Sequence, residues 1–167
     1  MNRLSRMLWF APLAVHVAYL LATSRGLPAA LGARAWADDP GVSSRILLVE
    51  WLTILGCANG ALLFLHVRLP HFSDKLLAVP GKAHWLSGPA PRAELTERLR
   101  GFLETALVLL NVFFLAVYQS IYQVAAPQPV VTMRFEILAV GFMGVPLLLI
   151  AIAFARLVFG LRRSIHR

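Results

Sequence analysis

The stretch PRAELTERLRGFLETALVLLNVFFLAVYQSIYQV, residues 91–124, decides how the rest of the chain is read. Up to Arg100 it is built from charged, strongly helix-forming residues. From Gly101 to Val124 its only charged residue is Glu104. At 1.5 Å of rise per residue this second part reaches about 36 Å, enough to cross a hydrocarbon core of about 30 Å. No proline separates the two parts, so the pattern predicts one helix that begins near Pro91 and protrudes before entering the apolar layer. A proline in the first helical turn costs little, because its missing N–H has no partner there in any case.

Working outward, three further apolar runs have the same character, at about 8–23, 46–67 and 135–160. Hydrophobic residues make up 59% of the 167-residue chain and charged residues 14%, too little polar surface for a soluble domain of this length. The expected fold is therefore an all-α integral membrane protein, a single domain over 1–167 whose four spans form an up-down bundle. The first run is the shortest. Its Arg3 and Arg6 flank is similar to a secretory leader, and ARAWA at Ala33–Ala37 is similar to a cleavage site; we expect a retained anchor.

Basic residues orient the bundle. Of the 16 Lys and Arg, all but Arg25, Arg34, Arg45 and Arg134 fall on one side if the N-terminus is inside. The positive-inside rule then puts both termini and the connection 68–100 in the cytoplasm, with loops 24–45 and 125–134 outside. The net charge of +8 is accounted for by this orientation rather than by nucleic acid. Loop 24–45 reads as irregular, with a short helical turn at 29–37. Loop 125–134 is short, and Pro127 and Pro129 stop the third helix, which makes the third and fourth spans antiparallel neighbours.

Small residues mark faces suited to close helix approach: Gly56-x-x-x-Gly60 with Thr53 one turn before, and Gly141 and Gly144 in the fourth span, where Pro146 is expected to bend the helix. Polar groups within the spans are costly and need partners. By helical rise, His16, Asn59 and Asn111 fall at similar depth on three helices and form a candidate midplane cluster. It serves either as a proton or ligand site or as a hydrogen-bonded lock on register. Pro12, His16, Tyr19 and Thr23 share one helix face; Glu104, Asn111, Tyr118 and Tyr122 share another, and the two are expected to oppose. Glu104 matches the depth of His66, while Glu50 and Glu136 lie near Arg45 and Arg134.

Catalytic and cofactor patterns are not found. The lone Cys57 excludes an internal disulfide, and a bis-histidine haem needs two histidines at matching depth on facing helices. His71 and His84 have only Asp74 near them, a weak ligand set. The chain carries no phosphate-binding loop, dinucleotide fingerprint, nucleophile elbow or zinc-protease motif. The expectation is a protein that is not an enzyme and takes no cofactor or metal.

The connection before the opening stretch contains VPGKAHWLSGPAP, residues 79–91. A tight turn at Pro80-Gly81, the cation Lys82, His84 and the indole of Trp85 suit a membrane-interface anchor or a partner-docking loop. Phe72, Leu76 and Leu77 before it suggest a surface-lying or re-entrant segment.

At these residues the chain resembles a family of uncharacterised bacterial four-span membrane proteins. The family's second connection reads roughly Leu-Pro-Asn-Lys-Asp-Tyr-Trp-Leu-Ala-Pro-Glu-Arg, matched here by Val79, Pro80, Gly81, Lys82, Ala83, His84, Trp85 and Leu86, then Pro89 or Pro91 and Arg92. Leu27-Pro28 and Ser44-Arg45 match the opening and close of its first external loop, which is similar to a domain of unknown function shared with toxin-immunity membrane proteins. The His-Phe-Gly core usual in that loop is missing from AALGARAWADDPGV, residues 29–42. The resemblance implies the four-span layout and a bacterial inner membrane, and supplies no activity. The leading functional expectation is an accessory or scaffolding subunit of a larger membrane complex, or of a homo-oligomer, seated in the lipid bilayer. Alternatives are a sensor or immunity-type protein acting through loop 24–45, and a small transport or proton-conducting bundle.

Overall fold

A computed structural model describes residues 3–24, 30–31, 42–125 and 133–165. Helix α1 covers Arg3–Ser24, α2 Ser44–Arg68, the short α3 Lys82–Trp85, α4 Pro89–Ala125 and α5 Met133–Ile165. Two 3-10 turns, Leu69–His71 and Asp74–Leu76, follow α2. Strands β1 (Ala30–Leu31) and β2 (Val42–Ser43) pair antiparallel, with Ala30 opposite Ser43 and Leu31 opposite Val42. The helical turn expected at 29–37 is thus extended in its described part, and the remainder lies outside the described residues. The residues that would pair Glu50 with Arg45 and Glu136 with Arg134 likewise lie where side chains are not described.

Three segments are long and apolar enough to cross a membrane: Leu48–His71, Pro89–Tyr122 and Met143–Ser164. At most 22% of the apolar stretch of each is buried within the chain, so most of their side chains face outward, as a lipid-facing helix requires. Phe10–Thr23 in α1 is apolar and shorter. The molecule is a helical membrane protein.

Helix α4 organises the rest. It spans 37 residues without a break, about 55 Å at helical rise. It starts at Pro89, one short step before the expected Pro91: Gly88 O accepts the first helical bond, from Arg92 N–H at 3.3 Å, so neither proline is asked to donate. Its other end, Ala125, falls just before the prolines expected to stop it. Glu104, Leu107, Asn111, Phe114 and Tyr118 recur every three or four residues and face α1 and α2. Leu95, Arg98, Phe102, Thr105 and Leu109 recur on the opposite face and meet α5. The packing is therefore divided between two faces, with α4 in the middle. The antiparallel run of α4 and α5 is as expected, with Leu95 beside Leu161 and Phe102 beside Phe154. Helix α5 continues through Pro146, as α1 does through Pro12.

Two cores result. One joins Leu20, Trp51, Leu55 and Tyr118 from α1, α2 and α4. The other joins Leu77, Trp85, Leu95 and Leu161, where the connection 69–88 folds over the adjoining ends of α4 and α5. Gly81 starts the fold-over with φ 67° and ψ 33°, a left-handed conformation that glycine adopts without the Cβ penalty. That turn brings Pro80 O under the indole, and Trp85 Nε1–H donates to it at 3.1 Å. Arg92 in the first turns of α4 donates to Phe72 O at 2.7 Å and pairs with Asp74, tying the preceding segment down.

Trp85 is 0% exposed, which corrects the interfacial-anchor expectation for this residue. A headgroup-zone tryptophan must present its ring to lipid, whereas this ring is enclosed by leucines and covered by the Arg98 guanidinium at 5.7 Å. Lys82 is half-buried at the start of α3, and His84 is exposed with its ring centroid 5.0 Å from that of the indole, the two rings nearly perpendicular. Leu76, at 70% exposed, is the apolar side chain of this segment that faces outward, while Leu77 is buried and Phe72 half-buried. Replacing Trp85 with alanine should cost about 3–5 kcal/mol and lower the thermal midpoint measured in detergent. Phenylalanine should restore most of the loss. An anchoring role would instead leave that midpoint unchanged.

Candidate functional site

The interior face of α4 gathers the polar side chains that the apolar environment makes expensive. Asn59 on α2 and Asn111 on α4 are 7% and 1% exposed. Their amides bond reciprocally: Asn111 Nδ2 donates to Asn59 Oδ1 at 2.7 Å, and Asn59 Nδ2 to Asn111 Oδ1 at 3.2 Å. Each amide also spends its second N–H within its own helix, on Leu55 O and Leu107 O, both at 2.9 Å. All four donors are used. The pair has no N–H left to donate, and each oxygen accepts one bond from the other amide.

His16 was expected to join the amides and does so only in part. It is 0% exposed, and its Nε2 accepts a hydrogen bond from Trp51 Nε1 at 3.2 Å. Nδ1 is buried and has no hydrogen-bond partner among the described residues. Trp51 is the partner that depth counting missed; it lies on α2 where that antiparallel helix passes His16. Beyond it the two expected stripes meet. Tyr118 packs edge-on against Tyr19 at 6.0 Å, its hydroxyl is 3.1 Å from Thr23 Oγ1, and Tyr19 O–H donates to Gln119. The result is a belt of rings and hydroxyls that fixes α1 alongside α4.

Toward the other end, His66 Nε2 lies 3.3 Å from Glu104 Oε1. The depth match read from the sequence is realised here. Between this pair and Asn59 lies a cavity of about 230 Å³. Phe10, Leu13 and Leu107 form apolar walls, and Gly56 and Gly60 border it. Its size and lining suit an alkyl group rather than a polar metabolite.

The small-residue faces, expected to suit close approach of another helix, are open in the described residues. A Cβ built on Gly56, Gly60, Gly141 or Gly144 would meet no atom within 4 Å. Thr53 is exposed and its hydroxyl bonds back to Val49 O at 2.8 Å. The spacing was legible, but it does not say which way the face is turned. Among the described residues, no group of three or more His, Cys, Asp or Glu is placed to hold a metal. Loop 24–45, to which sensing or toxin binding was assigned, lies mostly outside the described residues. No protein-family model, curated protein or solved structure matches the chain.

The reciprocal amide pair predicts non-additive energetics. Leucine at Asn59 or at Asn111 alone strands the other amide and should cost about 1–2 kcal/mol. The double leucine variant should be no less stable than either single one. Reversible unfolding in mixed micelles measures this cycle, and additive losses would mean the two amides act separately.

Proposed function

We propose that the chain is a non-enzymatic, four-span protein of a bacterial inner membrane, with both termini cytoplasmic. In this reading it acts as an accessory or scaffolding subunit, seated against a larger membrane complex or a second copy of itself. The observation that carries the proposal is the open space over Gly141 and Gly144, and over Gly56 and Gly60 beside the cavity they border. Within a bilayer, association is driven by close van der Waals packing, and glycine faces gain most from it when another helix lies on them. Here they lie on none of the described helices.

Helix α1 as the fourth span is supported by its 22 residues, about 33 Å, and by its contacts to α4 at Tyr19 and Thr23. The orientation rests on the basic residues, which crowd the end formed by the start of α4 and the close of α5. The self-satisfied Asn59–Asn111 pair favours a scaffold over a conducting bundle, which needs an exchangeable polar path. Kinship with the four-span family belongs to the same proposal and rests on the residues at 79–92.

Substituting Gly60 and Gly144 with leucine tests the association. The variant should remain folded, since neither position meets a neighbour within 4 Å, yet its native-gel mass after mild extraction should fall to that of the lone chain. Wild-type protein that already runs as a lone monomer would sink the proposal.

A further inference from the structure

The face of α4 that meets α5 carries a second depression, a groove of about 600 Å³. Its length is apolar, lined by Phe102, Leu109, Leu149 and Ile152, and one end is basic, with Arg98 from α4 and Arg156 from α5. We propose that this groove binds an anionic phospholipid, one acyl chain lying along the apolar length and the phosphate held between the two guanidinium groups.

The two arginines are prepared differently. Arg98 is held in place: Nε and Nη2 donate to Glu94 Oε1 at 3.1 and 2.6 Å, and the group lies over the Trp85 ring. Its Nη1 lies 3.3 Å from where a Cβ of Gly160 would stand, so the guanidinium reaches across to α5. That nitrogen makes no hydrogen bond among the described residues. Glu94 offsets the charge of Arg98. Arg156 has no such offset: it is exposed and makes no hydrogen bond or ion pair among the described residues. On antiparallel α5 it falls between Phe154, which meets Phe102, and Gly160, which meets Arg98. An unpaired arginine beside apolar surface needs water or an anion at its head, and an anionic headgroup supplies both charge and acceptors.

Phosphate oxygens fit a guanidinium bidentately, and a fixed Arg98 beside an uncompensated Arg156 gives one positioning donor and one net charge. Glycines 101 and 160 keep side chains out of the basic end, where a headgroup needs room. The charge-bearing end adjoins the apolar length directly, which suits an amphiphile and gives a free phosphate nothing further to hold.

The test uses purified full-length protein in detergent, with native mass spectrometry of phosphatidylglycerol and phosphatidylcholine of matched acyl chains. Phosphatidylglycerol should bind preferentially, and Arg156→Gln should reduce that preference about fivefold with the thermal midpoint unchanged. Gly101→Leu, which alters no charge, should weaken both lipids by filling the groove. Glycerol phosphate at millimolar concentration should not displace the lipid. Equal binding of the two lipids, an unaltered preference in Arg156→Gln, or displacement by glycerol phosphate would each overturn the assignment.

Discussion

The register of α2 against α4 depends on one interaction, the reciprocal bond between the Asn59 and Asn111 amides. In an apolar layer a slip of one residue would strand four donors and acceptors at once, with no water to replace them. Leucine packing alone is far more tolerant of such a slip. Once the amides are matched, His66 arrives opposite Glu104 and Trp51 opposite His16 and Tyr118. The polar groups are few, and their value lies in specifying one alignment among many apolar ones.

Helix α4 also carries the molecule out of the layer. Its first turns are charged, and there the connection 69–88 has a surface on which to fold. Trp85 supplies the apolar mass of that small core, Gly81 the turn that brings Pro80 O to the indole N–H, and Arg92 the tie to Phe72 and Asp74. The close of α5 completes it with Leu157 and Leu161. A loop that looked like an exposed motif is thereby a packed cap that fixes the splay of α4 and α5. The same end of the molecule holds the arginines of the α4–α5 groove.

Much of this was legible in the sequence wherever distance along a helix is the governing variable. Rise per residue is fixed, so the depths of Asn59, Asn111, His66 and Glu104 could be compared across helices before any packing was known. The continuity of α4 followed from an unbroken run of helix formers. Rotation about each axis was not legible, because nearly every face of these helices is apolar. Leu157 and Leu161 look the same whether they meet lipid or Trp85, and Gly56-x-x-x-Gly60 looks the same whether it touches a helix or lies open. For the same reason the sequence shows the depth of His16 and not its hydrogen bond to Trp51, which depends on rotation.

The account's central claim is that α4 runs unbroken from a capped, polar extension into the apolar layer, deepest around Asn111. Spin labels placed singly from Glu94 to Gln119 on its outward positions, in lipid vesicles, read this directly through oxygen and water-soluble nickel accessibility. The account predicts helical periodicity across the whole scan, with nickel favoured before Gly101 and oxygen favoured increasingly toward Asn111. Loss of periodicity near Gly101, or nickel access throughout the segment after it, would contradict it.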